Sequence, residues 1–131
     1  MENLEPAYRY RGRQAAFVRD SLEGAETLHV VGDIDLANAA EFEAAIMKMT
    51  PSTGPRVIDL TCCTYIDSTA VHVLSRTSKR LQFSVLAAVG GVVQRIFTIA
   101  NAAALLSIDY KVVPSIHANR NGARPPTGSP T

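Results

Sequence analysis

The residues between Gln14 and Val113 predict an α/β fold, a mixed central β-sheet of about four to five strands with helices packed on it. Two observations carry this expectation. Short β-branched and apolar runs alternate with longer segments of helical period, and strands separated by helices call for parallel crossovers. The first two strand-like runs, by contrast, are separated only by a turn, which adds a hairpin to the parallel part.

Ala15 to Arg19 and Thr27 to Ile34 read as the first two strands, with Ser21, Leu22, Glu23 and Gly24 between them as the turn. From Leu36 the period becomes helical: Phe42, Ala45, Ile46 and Met49 share a face, Glu41, Glu43 and Lys48 lie off it, and Asp35 stands where an N-cap would. Pro51 to Pro55 is a breaker, Arg56 to Leu60 a short apolar strand, and a loop then runs to Asp67. Ser68 to Leu81 predicts a second helix, with Val71, Leu74, Ser78 and Leu81 on one side. Its Arg76, Lys79 and Arg80 lie toward the carboxyl end, where positive charge suits the helix dipole. Phe83 to Val89 is another apolar strand, and Gly90 and Gly91 turn the chain out of it. Val93, Ile96, Phe97 and Ala100 space out a third helix ending near Asn101, and Leu105 to Val112 closes the fold as a strand or extended edge.

A length of 131 residues suits one domain. Residues 1–13 read as an N-terminal arm, 14–113 as the domain, and 114–131 as a disordered tail with almost nothing to bury. Residues 1–13 carry charges and a proline with no apolar segment after them, so neither a signal peptide nor a membrane anchor is expected, and the expected compartment is the cytoplasm. Apolar residues make up 47% of the chain, yet no run approaches the ~20 needed to cross a bilayer.

Net charge is +1, which supplies no electrostatic reason to expect nucleic acid as a partner. The one basic cluster, Arg9, Arg11 and Arg13 with Tyr8 and Tyr10, reads as a solvated arm. Cys62 and Cys63 are sequence neighbours and cannot staple distant segments, and together with His29, His72 and His117 they lack the spacing of a zinc site. Buried small apolar residues is the simpler reading for both, with a redox role left open by their closeness to Ser68. Gly90 and Gly91 are too few for a dinucleotide fingerprint, and no Walker lysine motif is present. Ser68 and His72, four apart on a helix, could pair as nucleophile and base, but nothing supplies an orienting third group. Neither catalysis nor a cofactor is expected.

The informative stretch runs from Val57 to Val71: Val-Ile-Asp-Leu-Thr-Cys-Cys-Thr-Tyr-Ile-Asp-Ser-Thr-Ala-Val. It resembles the signature of STAS domains, in which a buried strand ending in Asp-Leu leads to an Asp-Ser-Ser/Thr-Gly at the start of a helix. Upstream, Gly32, Asp33, Ile34 and Asp35, followed by Leu36, Ala37, Asn38 and Ala39, resemble the family's Gly-Glu-Ile-Asp motif, and Val92 to Phe97 is similar to its third-helix pattern. The three motifs occur in order across residues 14–112. The resemblance implies the STAS fold and, more narrowly, an anti-sigma factor antagonist.

The resemblance also implies roles. Ser68 corresponds to the serine phosphorylated by a partner, an anti-sigma factor whose histidine-kinase-type ATPase domain acts as a serine kinase, and Thr69 is the second candidate. A phosphatase is a further implied partner. Asp35 corresponds to the aspartate that family members place beside that serine, and Asp35, Asn38, Asp67, Ser68, Thr69 and His72 form the implied partner-binding set. An alternative within the family is a subunit of a lipid-transport ABC complex or a stressosome-like scaffold, binding without phosphorylation. Ala70 replaces the usual glycine and His72 a usual small residue, which makes the helix surface bulkier at the site. A monomer is expected, although a final edge strand would permit pairing between copies.

Overall fold

The computed structural model describes residues 15–49 and 54–114. The arm expected over 1–13 and all but the first residue of the tail expected over 114–131 lie outside the described residues, as does most of the breaker segment.

Strands β1 (Ala15–Leu22) and β2 (Ala25–Ile34) form an antiparallel hairpin with Leu22 opposite Ala25. Both turn residues have positive φ, 53° at Glu23 and 86° at Gly24, the two-residue turn whose twist matches that of the strands. Helix α1 (Ala39–Met47) then crosses to β3 (Arg56–Ile66), α2 (Ser68–Ser78) to β4 (Ser84–Ala88), and α3 (Val92–Ile99) to β5 (Ile108–Lys111), the last by way of a 3-10 turn at Ala102–Ala104. The sheet has five strands in the order β1-β2-β3-β4-β5, and every pair after the hairpin is parallel. This is the mixed α/β sheet the sequence predicts.

Strand order equal to chain order has a consequence. Right-handed crossovers that always advance in one direction deliver all their helices to the same face of the sheet. On that face Leu28, Val30, Ile58, Leu60, Val85 and Ala87 are buried against Phe42 and Ile46 of α1, Val71 and Leu74 of α2, and Val93 and Phe97 of α3, forming one core. Phe17 of β1 stacks on Phe42 with ring centroids 5.9 Å apart, closing the core at the hairpin side. Outside the core, Arg76 of α2 joins Glu43 of α1 through a two-pronged ion pair whose shorter contact is 2.8 Å. No helix among the described residues is long and apolar enough to cross a membrane.

The intervening residues Thr27, His29, Asp59, Thr61 and Leu86 point to the other face, and none of them is buried. There His29 Nδ1 meets Asp59 Oδ2 at 3.0 Å, while Asp59 Oδ1 accepts the Thr61 N–H at 2.9 Å and the Thr61 hydroxyl at 2.7 Å. Burial pushes the Asp59 carboxyl up, but the Thr61 and His29 contacts outweigh it and hold its pKa below the usual aspartate value.

The main departure from expectation is in β3. The sequence predicts a strand to Leu60 and then a loop, whereas the strand continues to Ile66. Pairing steps from His29 with Asp59 to Val31 with Cys62, and from Gly32 with Cys63 to Asp33 with Tyr65, so β3 twice carries one more residue than β2. The buried residues beyond Leu60 are therefore Cys63 and Ile66, each three positions on, and a period of two cannot reveal them. Helix α2 also stops at Ser78, where Thr77 O accepts the N–H groups of Arg80 and Leu81 in a tight exit.

Replacing Glu23 with Asn, which tolerates positive φ far better, is expected to stabilise the protein by about 0.5 kcal/mol, read as a higher urea midpoint at unchanged slope. Because the Asp59 pKa is depressed in the folded state, its contribution is present above the unfolded value of about 4 and is lost as pH falls through the folded value. The stability gap between wild type and Asp59→Asn should accordingly narrow below about pH 4, in urea titrations repeated at stepped pH.

Candidate functional site

Parallel β2 and β3 end together, Ile34 beside Ile66, so the loops leaving them emerge side by side. Such carboxyl ends of parallel strands are where loops can assemble a site without disturbing the sheet. Near its end β2 passes through Gly32, whose φ of 102° favours glycine, at the second register shift against β3, and after Ile34 the chain turns through Asp35, Leu36, Ala37 and Asn38. It leaves β3 through Asp67 alone, which is the N-cap of α2.

Asp67 binds the two loops together. Its Oδ1 accepts the Ala70 N–H at 3.2 Å, capping α2, and its Oδ2 accepts the Leu36 N–H at 3.1 Å from the other loop. The Asp67 N–H in turn donates to Ile34 O at 3.2 Å. Ser68, the first residue of α2, follows directly and is exposed, while Thr69 is half-buried. His72, one turn further along α2, is also exposed.

Asp35 does not cap α1, contrary to the sequence expectation. Its Oδ1 accepts the Ala37 N–H at 2.9 Å in a local turn, and the helix starts only at Ala39. The chain instead makes a turn over residues 35–38, closed by the Asn38 N–H donating to Asp35 O at 3.2 Å, while the Leu36 N–H goes to Asp67. Asn38 occupies the cap position without capping through its side chain. That side chain is buried, its Nδ2 donating to Asp33 O at 2.9 Å and its Oδ1 accepting the Asp35 N–H at 3.0 Å, so it secures the loop from beneath. The Thr64 hydroxyl reaches across from β3 to the Asp33 carboxylate. Nor is Ser68 the N-cap of its helix: Asp67 fills that role, and the serine hydroxyl is left outside the capping bonds recorded there.

The site thus gathers Asp35, Asp67, Ser68, Thr69 and His72 on the surface and turns Asn38 inward. Sequence reasoning missed Leu36, which is 76% exposed beside Asp67 although it is a large apolar residue. Its position off the stripe of Phe42, Ala45, Ile46 and Met49 was the available signal. The two cysteines differ. Cys62 is exposed, so the reading of both as buried residues holds only for Cys63. Burial pushes the Cys63 thiol up to about 12, its Sγ–H donating to Tyr65 O at 3.4 Å, and it stays protonated and unreactive at neutral pH.

The family model of the STAS domain matches residues 17–118. No curated protein matches the chain in sequence. Among solved structures, an anti-sigma factor antagonist from Mycobacterium paratuberculosis is similar at 21% identity and a TM-score of 0.67, over 87% of this chain and 97% of that one. The anti-sigma factor antagonist SpoIIAA in its unphosphorylated form is similar at 13% identity and a TM-score of 0.53, over 80% of this chain and 95% of that one. At these identities the likeness is one of fold.

Asp67→Ala removes a cap and the tie between loops together, with an expected loss of about 1–2 kcal/mol, whereas Asp67→Asn retains an acceptor and should lose clearly less. Urea midpoints of the three proteins measure the ranking.

Proposed function

The chain belongs to the STAS domain family, and from that premise we propose that it is an anti-sigma factor antagonist, a non-catalytic switch working in the cytoplasm as a monomer. In this reading the unphosphorylated protein binds an anti-sigma factor with a histidine-kinase-type ATPase domain and so releases a sigma factor. That partner acts as a serine kinase on Ser68, phosphorylation ends the capture, and a phosphatase resets the protein.

The observation that carries the reading is the exposure of Ser68 on a rigid base. Its neighbour Asp67 is fixed by hydrogen bonds to the end of β2, to the loop that follows β2 and to α2, so the serine is presented in a defined place without being part of the core. The half-burial of Thr69 favours Ser68 as the modified residue. Leu36 supplies an exposed apolar contact beside it, and Asp35, Thr69 and His72 the polar surround.

The physics of release follows from charge. A phosphate adds about 1.5 to 2 negative charges to a surface that already carries the Asp67 carboxylate. A partner seated there meets like charge at short range, at a penalty of several kcal/mol, while ~1.4 kcal/mol is already tenfold in affinity. No rearrangement of the fold is required.

Baits of wild type, Ser68→Ala and Ser68→Glu in a native lysate, with mass spectrometry of what they retain, test the reading. Wild type and Ser68→Ala should hold an anti-sigma factor of kinase type, and Ser68→Glu should hold it at least about tenfold more weakly. Equal capture by all three, or capture of a transporter ATPase in its place, would overturn it.

A further inference from the structure

We infer that His72 is the intrachain partner of a phosphate on Ser68, so that the charge presented by the modified protein is set by the imidazole as well as by the phosphate. This rests on the reading of Ser68 as the modified residue and adds to it a regulatory side chain on the same helix.

Three observations lead there. Ser68 and His72 are both exposed and stand four residues apart within α2, the spacing that stacks side chains on one face of a helix. The ordinary destination of a phosphate at a helix start is its first free amides, but the Ala70 N–H is already held by Asp67 Oδ1, whose charge also repels a phosphate. A phosphate on Ser68 that turns away from the Asp67 carboxylate runs along the helix surface toward His72. The next cation on that face of α2, Arg76, lies a further turn away and has its guanidinium engaged by Glu43 of α1. Within one turn of the serine on α2, His72 is the side chain that can take up a proton and become a cation.

The groups that bear on His72 are accordingly few. Ser68 and Asp67 lie toward the amino end of α2 and Arg76 toward its carboxyl end. Glu43 faces from α1, the helix packed against α2, but is paired with Arg76. The opposite side of α2 is buried through Val71 and Leu74, which hold it on the sheet. A phosphoserine loses its second proton near pH ~6, and a positive charge on a neighbouring imidazole and the second negative charge of the phosphate favour each other. With His72 protonated, the phosphate ionises fully at lower pH than it would alone, while the net charge added to the surface is smaller than that of the dianion. The repulsive charge of the switch is then largest when the phosphate is dianionic and the imidazole carries no proton.

The inference is testable without a partner. Phosphoserine is installed at position 68 of the full chain by genetic code expansion, in wild type, His72→Gln and His72→Lys backgrounds. The phosphorus NMR signal is then titrated from about pH 5 to about pH 8.5. The second ionisation of the phosphate is expected at higher pH in His72→Gln than in wild type, and His72→Lys, a lasting cation, is expected to bring it back down. Superimposable curves for wild type and His72→Gln overturn the inference. So does a difference that His72→Lys fails to reverse, because shape rather than charge would then be responsible. The exposed position of His72 leaves the core intact in both variants. Failure here leaves the partner captures by Ser68→Ala and Ser68→Glu baits untouched, and failure of those captures leaves this titration untouched, so the two readings fall separately.

Discussion

The Asp67 carboxylate is the constraint on which the site depends. One oxygen ends the search for a helix start by capping α2, and the other takes the Leu36 amide from a loop 31 residues earlier in the chain. Two connections that the sheet merely brings near one another become a single surface. Ser68 follows that carboxylate directly in the chain, and the Leu36 backbone is held beside it. Each bond of this sort contributes about 1 kcal/mol net, modest beside the core, but the core does not specify loop geometry and these bonds do.

What the sheet contributes is the placement of loops and the separation of faces. Because the strands follow chain order, the helices collect on one face and their amino ends collect at the carboxyl edge of the parallel strands. The face opposite the helices is half-exposed and polar at its middle, with His29, Asp59 and Thr61 linked in one chain of hydrogen bonds across β2 and β3. The two extra residues of β3, one at Leu60–Thr61 within that cluster and one at Thr64 beyond it, re-aim the strand so that Ile66 ends buried and Asp67 reaches the neighbouring loop.

On the proposed reading, a phosphate on Ser68 changes the surface charge without loosening the fold. Ser68 is exposed, the side chains that anchor α2 are Val71 and Leu74 on its far side, and the cap is made by a different residue. Regulation and stability therefore rest on separate groups. Of the two residues expected to make the helix surface bulkier, only His72 does so: it is exposed, whereas Ala70 is fully buried and belongs to the core.

The sequence by itself determined the order of elements, the residues of the core face and the three motifs that mark the family, because hydrophobic period and turn chemistry are properties of neighbours along the chain. Phe42, Ile46, Leu74 and Phe97 were legible in that way. The sequence also marked Asp35, Asp67 and Ser68 as a group, through resemblance, but placed Asp35 at a cap that it does not form. Only the tertiary structure decided that β3 runs on to Ile66, that Asn38 faces inward, that Cys62 and Cys63 part company and that Leu36 lies beside Asp67. Those features depend on the register between strands and on hydrogen bonds between residues some thirty positions apart, and no local period carries a relation of that length.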